Sequence, residues 1–75
     1  MTFDRLRNII CDQLAADEDE VSLSSNFSEE LYADSLDMVD IAGLAEEEFD
    51  IHIPDGALKT MVTVGDMVAY IDAHR

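Results

Sequence analysis

Residues 34–50 read Asp34-Ser35-Leu36-Asp37-Met38-Val39-Asp40-Ile41-Ala42-Gly43-Leu44-Ala45-Glu46-Glu47-Glu48-Phe49-Asp50, and their pattern decides the fold class. Wound at roughly 100° per residue, Met38, Ile41, Ala42, Ala45 and Phe49 fall on one side, an apolar face that a helix must bury. Asp34 offers an acceptor side chain at the cap position and Asp37 follows three residues later, an acidic form of the capping box that suits the positive end of the helix dipole. A helix is therefore expected from Asp34 to Phe49 or Asp50. Its other side carries Leu36, Asp40, Gly43 and Glu47, with Asp37 and Leu44 beside them, which sets an exposed leucine among carboxylates. Such a face is either solvated surface or a docking surface.

Working outward, Phe3, Leu6, Ile10 and Leu14 share a helical face, and Thr2 can cap it, so a first helix is expected from Thr2 to Ala15. Residues 16–33 are rich in Asp, Glu and Ser but contain Val21, Leu23, Phe27 and Leu31, which predicts a long loop pinned to the core by those four anchors. Downstream, Ile51-His52-Ile53 reads as a short extended connection ending at Pro54, which disfavours helix before it and suits a helix start after it. A short third helix is expected from about Asp55 to Thr60. Thr63 and Asp66 form another capping box, and Val64, Met67, Val68 and Ile71 share one face of a last helix. No strand-like alternation or repeat is present. The fold class is all-α: a four-helix bundle of three longer helices and a short third one, in a single domain spanning residues 1–75.

Composition narrows the functions. The chain has 75 residues and 48% hydrophobic residues, so it carries core formers that a disordered acidic tail lacks. A domain this small buries only about 60% of its unfolded surface, so its stability is modest. Eighteen acidic against four basic residues give a net charge of -14. That surface repels phosphates, which argues against nucleic acid or stable membrane association and favours partners with basic patches. The lone Cys11 lies beside the apolar stripe of the first helix and reads as a partly buried structural thiol; with no apolar N-terminal run in view, the expected compartment is the cytoplasm.

Ser35 stands at the first position of the second helix, where a hydroxyl is exposed and near free backbone N–H groups, a suitable place for a phosphodiester although Asp34 and Asp37 compete for the same donors. Position alone would not single it out. The order of Asp34-Ser35-Leu36-Asp37, Met38-Val39-Asp40, Glu46-Glu47-Glu48-Phe49-Asp50-Ile51-His52-Ile53-Pro54-Asp55, Thr63-Val64-Gly65-Asp66 and Tyr70-Ile71 closely resembles the acyl carrier protein family, and the resemblance spans essentially the whole chain.

That resemblance implies a 4′-phosphopantetheine arm, moved from coenzyme A to Ser35 by a phosphopantetheinyl transferase, whose thiol carries acyl intermediates as thioesters for enzymes of fatty-acid, lipid or polyketide synthesis. The protein itself would be no enzyme, with no catalytic or metal-binding residues, and would work as a monomer. The family's docking surface carries over to Asp34, Leu36, Asp37, Asp40, Gly43, Glu46, Glu47 and Ile53, where charge complementarity sets encounter rate while binding stays weak. Its acyl pocket carries over to Val39, Ala42, Phe49, Met61 and Val68.

Four residues depart from the family pattern. Tyr32 stands where many members have glycine, Gly43 replaces a bulky apolar residue on the outer face of the second helix, and Gly56 and Leu58 replace a more acidic third helix. These departures point away from the standard fatty-acid synthase partner set and toward a specialised carrier; a carrier of an amino-acid or unusual acyl group is the alternative within the class. Three readings other than an arm-bearing carrier are weighed by the same residues. A calcium-binding helical module would use the Asp17-Glu18-Asp19-Glu20 cluster, which lacks the EF-hand order of ligands and its turn glycine. An acidic interaction subunit would keep the fold and never receive the arm. A serine hydrolase would need a base near Ser35, yet His52 and His74 are both distant from it in sequence.

Overall fold

A computed structural model describes residues 1–75. Four α-helices make up the regular structure: α1 (Thr2–Leu14), α2 (Ser35–Phe49), α3 (Asp55–Leu58) and α4 (Val64–His74), with a short 3-10 turn at Glu18–Glu20. The helical class and element order follow the sequence pattern. Thr2 does not cap α1, however. Met1 holds the cap position without a side-chain bond, and Thr2 is already inside the helix and buried. Its hydroxyl donates to the Asp72 carboxylate instead, tying the start of α1 to the end of α4.

Antiparallel register between α1 and α2 is fixed at two levels. Arg5 Nε donates to Glu48 at 2.7 Å near one end, and Gln13 Nε2 donates to Asp40 at 3.2 Å nearer the other. The core between the helices is built from Leu6 and Ile10 of α1, Ile41, Ala42, Ala45 and Phe49 of α2, and Val64, Met67 and Ile71 of α4. Cys11 packs at its margin, and burial together with the Glu18 carboxylate pushes its thiol pKa up.

The long loop is pinned by three of its four expected anchors, Val21, Phe27 and Leu31, which are buried. Leu23 is the exception, at 51% exposed. It contributes its backbone, whose carbonyl accepts from Gly65 N–H at 2.8 Å. Two further bonds, Phe27 N–H to Val62 O and Val64 N–H to Ser25 O, each 3.0 Å, lash the loop to the segment before α4. A Cβ on Gly65 would lie 2.9 Å from the Leu23 carbonyl oxygen, so this close approach requires glycine. At α3 the helix is shorter than expected, ending at Leu58, and single-turn bonds carry the chain on through Thr60 to Met61.

Candidate functional site

The first turn of α2 is organised by the expected reciprocal cap. Asp37 N–H donates to Asp34 Oδ1 at 2.9 Å and Asp34 N–H donates to Asp37 Oδ2 at 3.2 Å. Both carboxylates are thereby turned onto backbone donors, while the N–H groups of Ser35 and Leu36 have no protein partner. Ser35 is exposed on the first residue of the helix, with Leu36 beside it at 75% exposed.

Ser35 borders a groove of about 500 Å³ between the start of α2, the end of the long loop and the α3 segment. Phe27, Ala33, Met38, Val39, Leu58, Met61 and Val62 give it an apolar wall, and Ser28, Asp34, Asp55 and Lys59 give it a polar rim. A hydroxyl at the lip of an apolar trough, with two free N–H groups at its foot, has the chemistry to hold a phosphodiester and lay an attached chain against the protein.

Expected pocket residues divide between two regions. Val39 and Met61 line the groove, although Val39 is half exposed at its edge. Ala42, Phe49 and Val68 do not. Ala42 is in the core between helices, Phe49 lies at the far end of α2 under the guanidinium groups of Arg5 and Arg75, and Val68 packs against the core from α4. Alongside Val39 and Met61 the apolar wall is made by Phe27, Ala33, Met38, Leu58 and Val62, none of them among the residues expected there. Four of these five lie within eight residues of Ser35 or in the short helix after Pro54, a nearness in sequence that could have pointed to them.

The expected docking residues divide as well. Asp40, Gly43 and Glu47 lie on the exposed face of α2, where with Gln13, Val39 and Leu44 they border a shallow notch. Asp34 and Asp37 sit at its foot, tied up in the cap. Ile53, in contrast, is 5% exposed and belongs to the core, so it is not available on that surface. Glu46 is turned inward: its Oε2 accepts from Ile53 N–H at 2.7 Å and lies 2.9 Å from His52 Nδ1, bracing the α2–α3 connection.

Tyr32 has φ 57°, in the left-handed region that favours glycine, which accounts physically for the family's glycine at this point. Its side chain is 83% exposed, three residues before Ser35. The acidic cluster at residues 17–20 forms no metal cage; no group of three or more His, Cys, Asp and Glu side chains is arranged to hold an ion, and Glu20 accepts from Asp17 N–H at 3.1 Å.

A family model described as a phosphopantetheine attachment site matches residues 4–71. The acyl carrier protein of Clostridium acetobutylicum is 46% identical over 74 residues, covering 99% of this chain and 96% of the relative. The chain belongs to the acyl carrier protein family. The acyl carrier protein of a Picosynechococcus species is similarly close, 52% identical over 69 residues, with 92% of this chain and 85% of the relative covered. Members of this family are non-catalytic carriers whose prosthetic group is 4′-phosphopantetheine, and the exposed hydroxyl and apolar groove fit that group. No helix is long and apolar enough to cross a membrane.

Proposed function

We propose that Ser35 is the attachment point of the arm and that the domain, residues 1–75, carries acyl intermediates between enzymes of fatty-acid, lipid or polyketide synthesis. The observation that carries this reading is the exposure of the Ser35 hydroxyl at the lip of the apolar groove. In the loading step a phosphopantetheinyl transferase removes the Ser35 proton, the oxygen bonds to the pantetheine-bearing phosphorus of coenzyme A, and 3′,5′-ADP leaves. Once bound, the group supplies a thiol for thioester exchange. The chain's own contribution is positional: the Asp34–Asp37 cap holds the first turn rigid, and Met38, Val39, Leu58 and Met61 offer an apolar bed for a flexible chain.

Partners are proposed to dock through exposed Leu36, Asp40 and Glu47, with half-buried Asp37 beside them in the cap; the carboxylates suit enzymes with basic patches. Gly43 sits among them with nothing within 4 Å of where its Cβ would be, so internal packing does not require glycine there. Its smallness is read as a partner's requirement, which supports a specialised carrier. The single Cys11, at the margin of the core, forms no internal disulfide and supports a reducing, cytoplasmic setting.

The test is to incubate the protein with coenzyme A and a broad-specificity phosphopantetheinyl transferase. The expected product is heavier by one phosphopantetheine, and Ser35→Ala should abolish the gain while the circular dichroism stays unchanged. Modification of the Ser35→Ala variant would overturn the assignment.

A further inference from the structure

Only four residues of this acidic chain are Lys or Arg, and three of them are engaged within the fold. Arg5 pairs with Glu48 and covers Phe49, Arg7 lies 3.6 Å from Asp4 and over Phe3, and Arg75 donates to Thr2 at 2.8 Å and also covers Phe49. Lys59, the sole lysine, is different. It is exposed and makes no ion pair or side-chain hydrogen bond, although Asp55 stands one helical turn before it. It borders the same groove as Ser35 and is the only cation that does.

The other charges near the attachment point are negative. Asp34 and Asp55 share the groove rim and Asp37 closes the cap behind Ser35. A phosphodiester placed there would meet three carboxylates in a chain already at -14, a repulsion that the two free N–H groups only partly offset. An unpaired ammonium on a flexible stem across the groove is the one group on this side of the molecule able to balance it.

Resting on the reading that Ser35 bears the arm, we infer that Lys59 pairs with the phosphodiester on Ser35 and so lays the arm across the groove toward α3. The pairing draws the pantetheine over Met38, Val39 and Leu58 instead of leaving it free in solvent. Lys59 acts here as a positioning residue, since it touches the anchor of the arm and not the thioester.

With one lysine, isotope labelling gives a single side-chain ammonium signal to follow. Apo and loaded protein are compared by NMR titration at low ionic strength, after peptide mapping has located the arm. Contact with one phosphate charge at about 5 Å in water predicts a rise of roughly half a pH unit in the Lys59 midpoint on loading, well above the change at the Met1 amino group. The phosphorus resonance should show a step at that same midpoint, both effects should shrink in molar salt, and Lys59→Gln should remove the phosphorus step. A second measurement at neutral pH avoids alkaline unfolding: loading should lower the thermal midpoint more in Lys59→Gln than in wild type, with Lys59→Arg behaving as wild type. With the arm mapped to Ser35, an unmoved Lys59 midpoint together with equal thermal changes in all three proteins would overturn the pairing alone. An arm mapped elsewhere would overturn both the attachment site and the pairing.

Discussion

The two ends of α2 are built on opposite principles. A 15-residue helix is about 22 Å long, far enough for its ends to have separate environments. At the C-terminal end, Phe49 is buried beneath Arg5 and Arg75, Glu48 holds Arg5, and Thr2 bonds Asp72, so α1, α2 and α4 are fastened together. At the N-terminal end the apolar side chains of Tyr32, Leu36, Val39 and Val62 stay exposed around Ser35 and its groove. The contrast teaches that a small domain can gather its arginine and aromatic side-chain cross-links at one end and leave a ligand groove at the other, where backbone bonds from the loop hold the wall.

The largest effect that can break this contrast is at Phe49. Phe49→Ala should cost about 3–5 kcal/mol, much of the stability of so small a domain. Val39→Ser at the open end should stay within about 0.5 kcal/mol. Urea denaturation of both variants checks the pair, and comparable losses would mean that the ends are not differentiated.

The glycines sharpen the comparison at lower amplitude. Gly65→Ala forces a Cβ against the Leu23 carbonyl and should cost about 1–3 kcal/mol as the loop backbone shifts. Gly43→Ala meets nothing and should stabilise by up to about 1 kcal/mol through helix propensity. The same denaturation series reads both, and a gain at Gly65 or a loss at Gly43 would contradict the packing described. Beside the groove, Tyr32→Gly should relieve the left-handed backbone and raise stability by up to about 1 kcal/mol, set against the greater freedom of glycine in the unfolded chain. An unchanged or lowered midpoint would show that the tyrosine side chain contributes packing its exposure does not suggest.

The smallest effect is a pH dependence. Asp66 accepts from Thr63 N–H at 3.0 Å and from Val62 N–H at 2.9 Å, and these bonds hold its carboxyl below the usual value of 3.8. A carboxylate with a depressed folded pKa contributes stability above its unfolded value, and that contribution is lost as pH falls through the folded one. The stability gap between wild type and Asp66→Asn should therefore be constant near neutral pH and close as the pH drops below about 3.8. Parallel acid denaturation curves would contradict it.

The parts of this architecture that local chemistry governs were legible in the sequence. The Asp34–Asp37 and Thr63–Asp66 caps and the apolar face of α2 depend on residues three or four apart, and the structure has them as read. What could not be read depends on distant partners. Thr2 looks like a cap until Asp72, seventy positions away, is brought to it. Glu46 looks like surface until the chain turns back after Asp50 and presents the Ile53 N–H to it, and that same turn buries Ile53. Phe49 and Val68 suit an acyl pocket by type, yet they lie away from the groove that Ser35 borders, because a helical face shared in sequence is spread along the length of the helix. Lys59 carried one unused clue, as the sole lysine in a chain crowded with carboxylates.

The central claim, that the arm and its cargo occupy the open end alone, is tested most directly by backbone amide shifts compared between apo protein and protein loaded with a short acyl-phosphopantetheine. The account predicts changes gathered at Ser28, Ala33, Val39, Leu58, Lys59 and Val62, with Arg5, Glu48, Phe49 and Asp72 unmoved. Changes centred on Phe49 and Val68, with the groove residues silent, would contradict it.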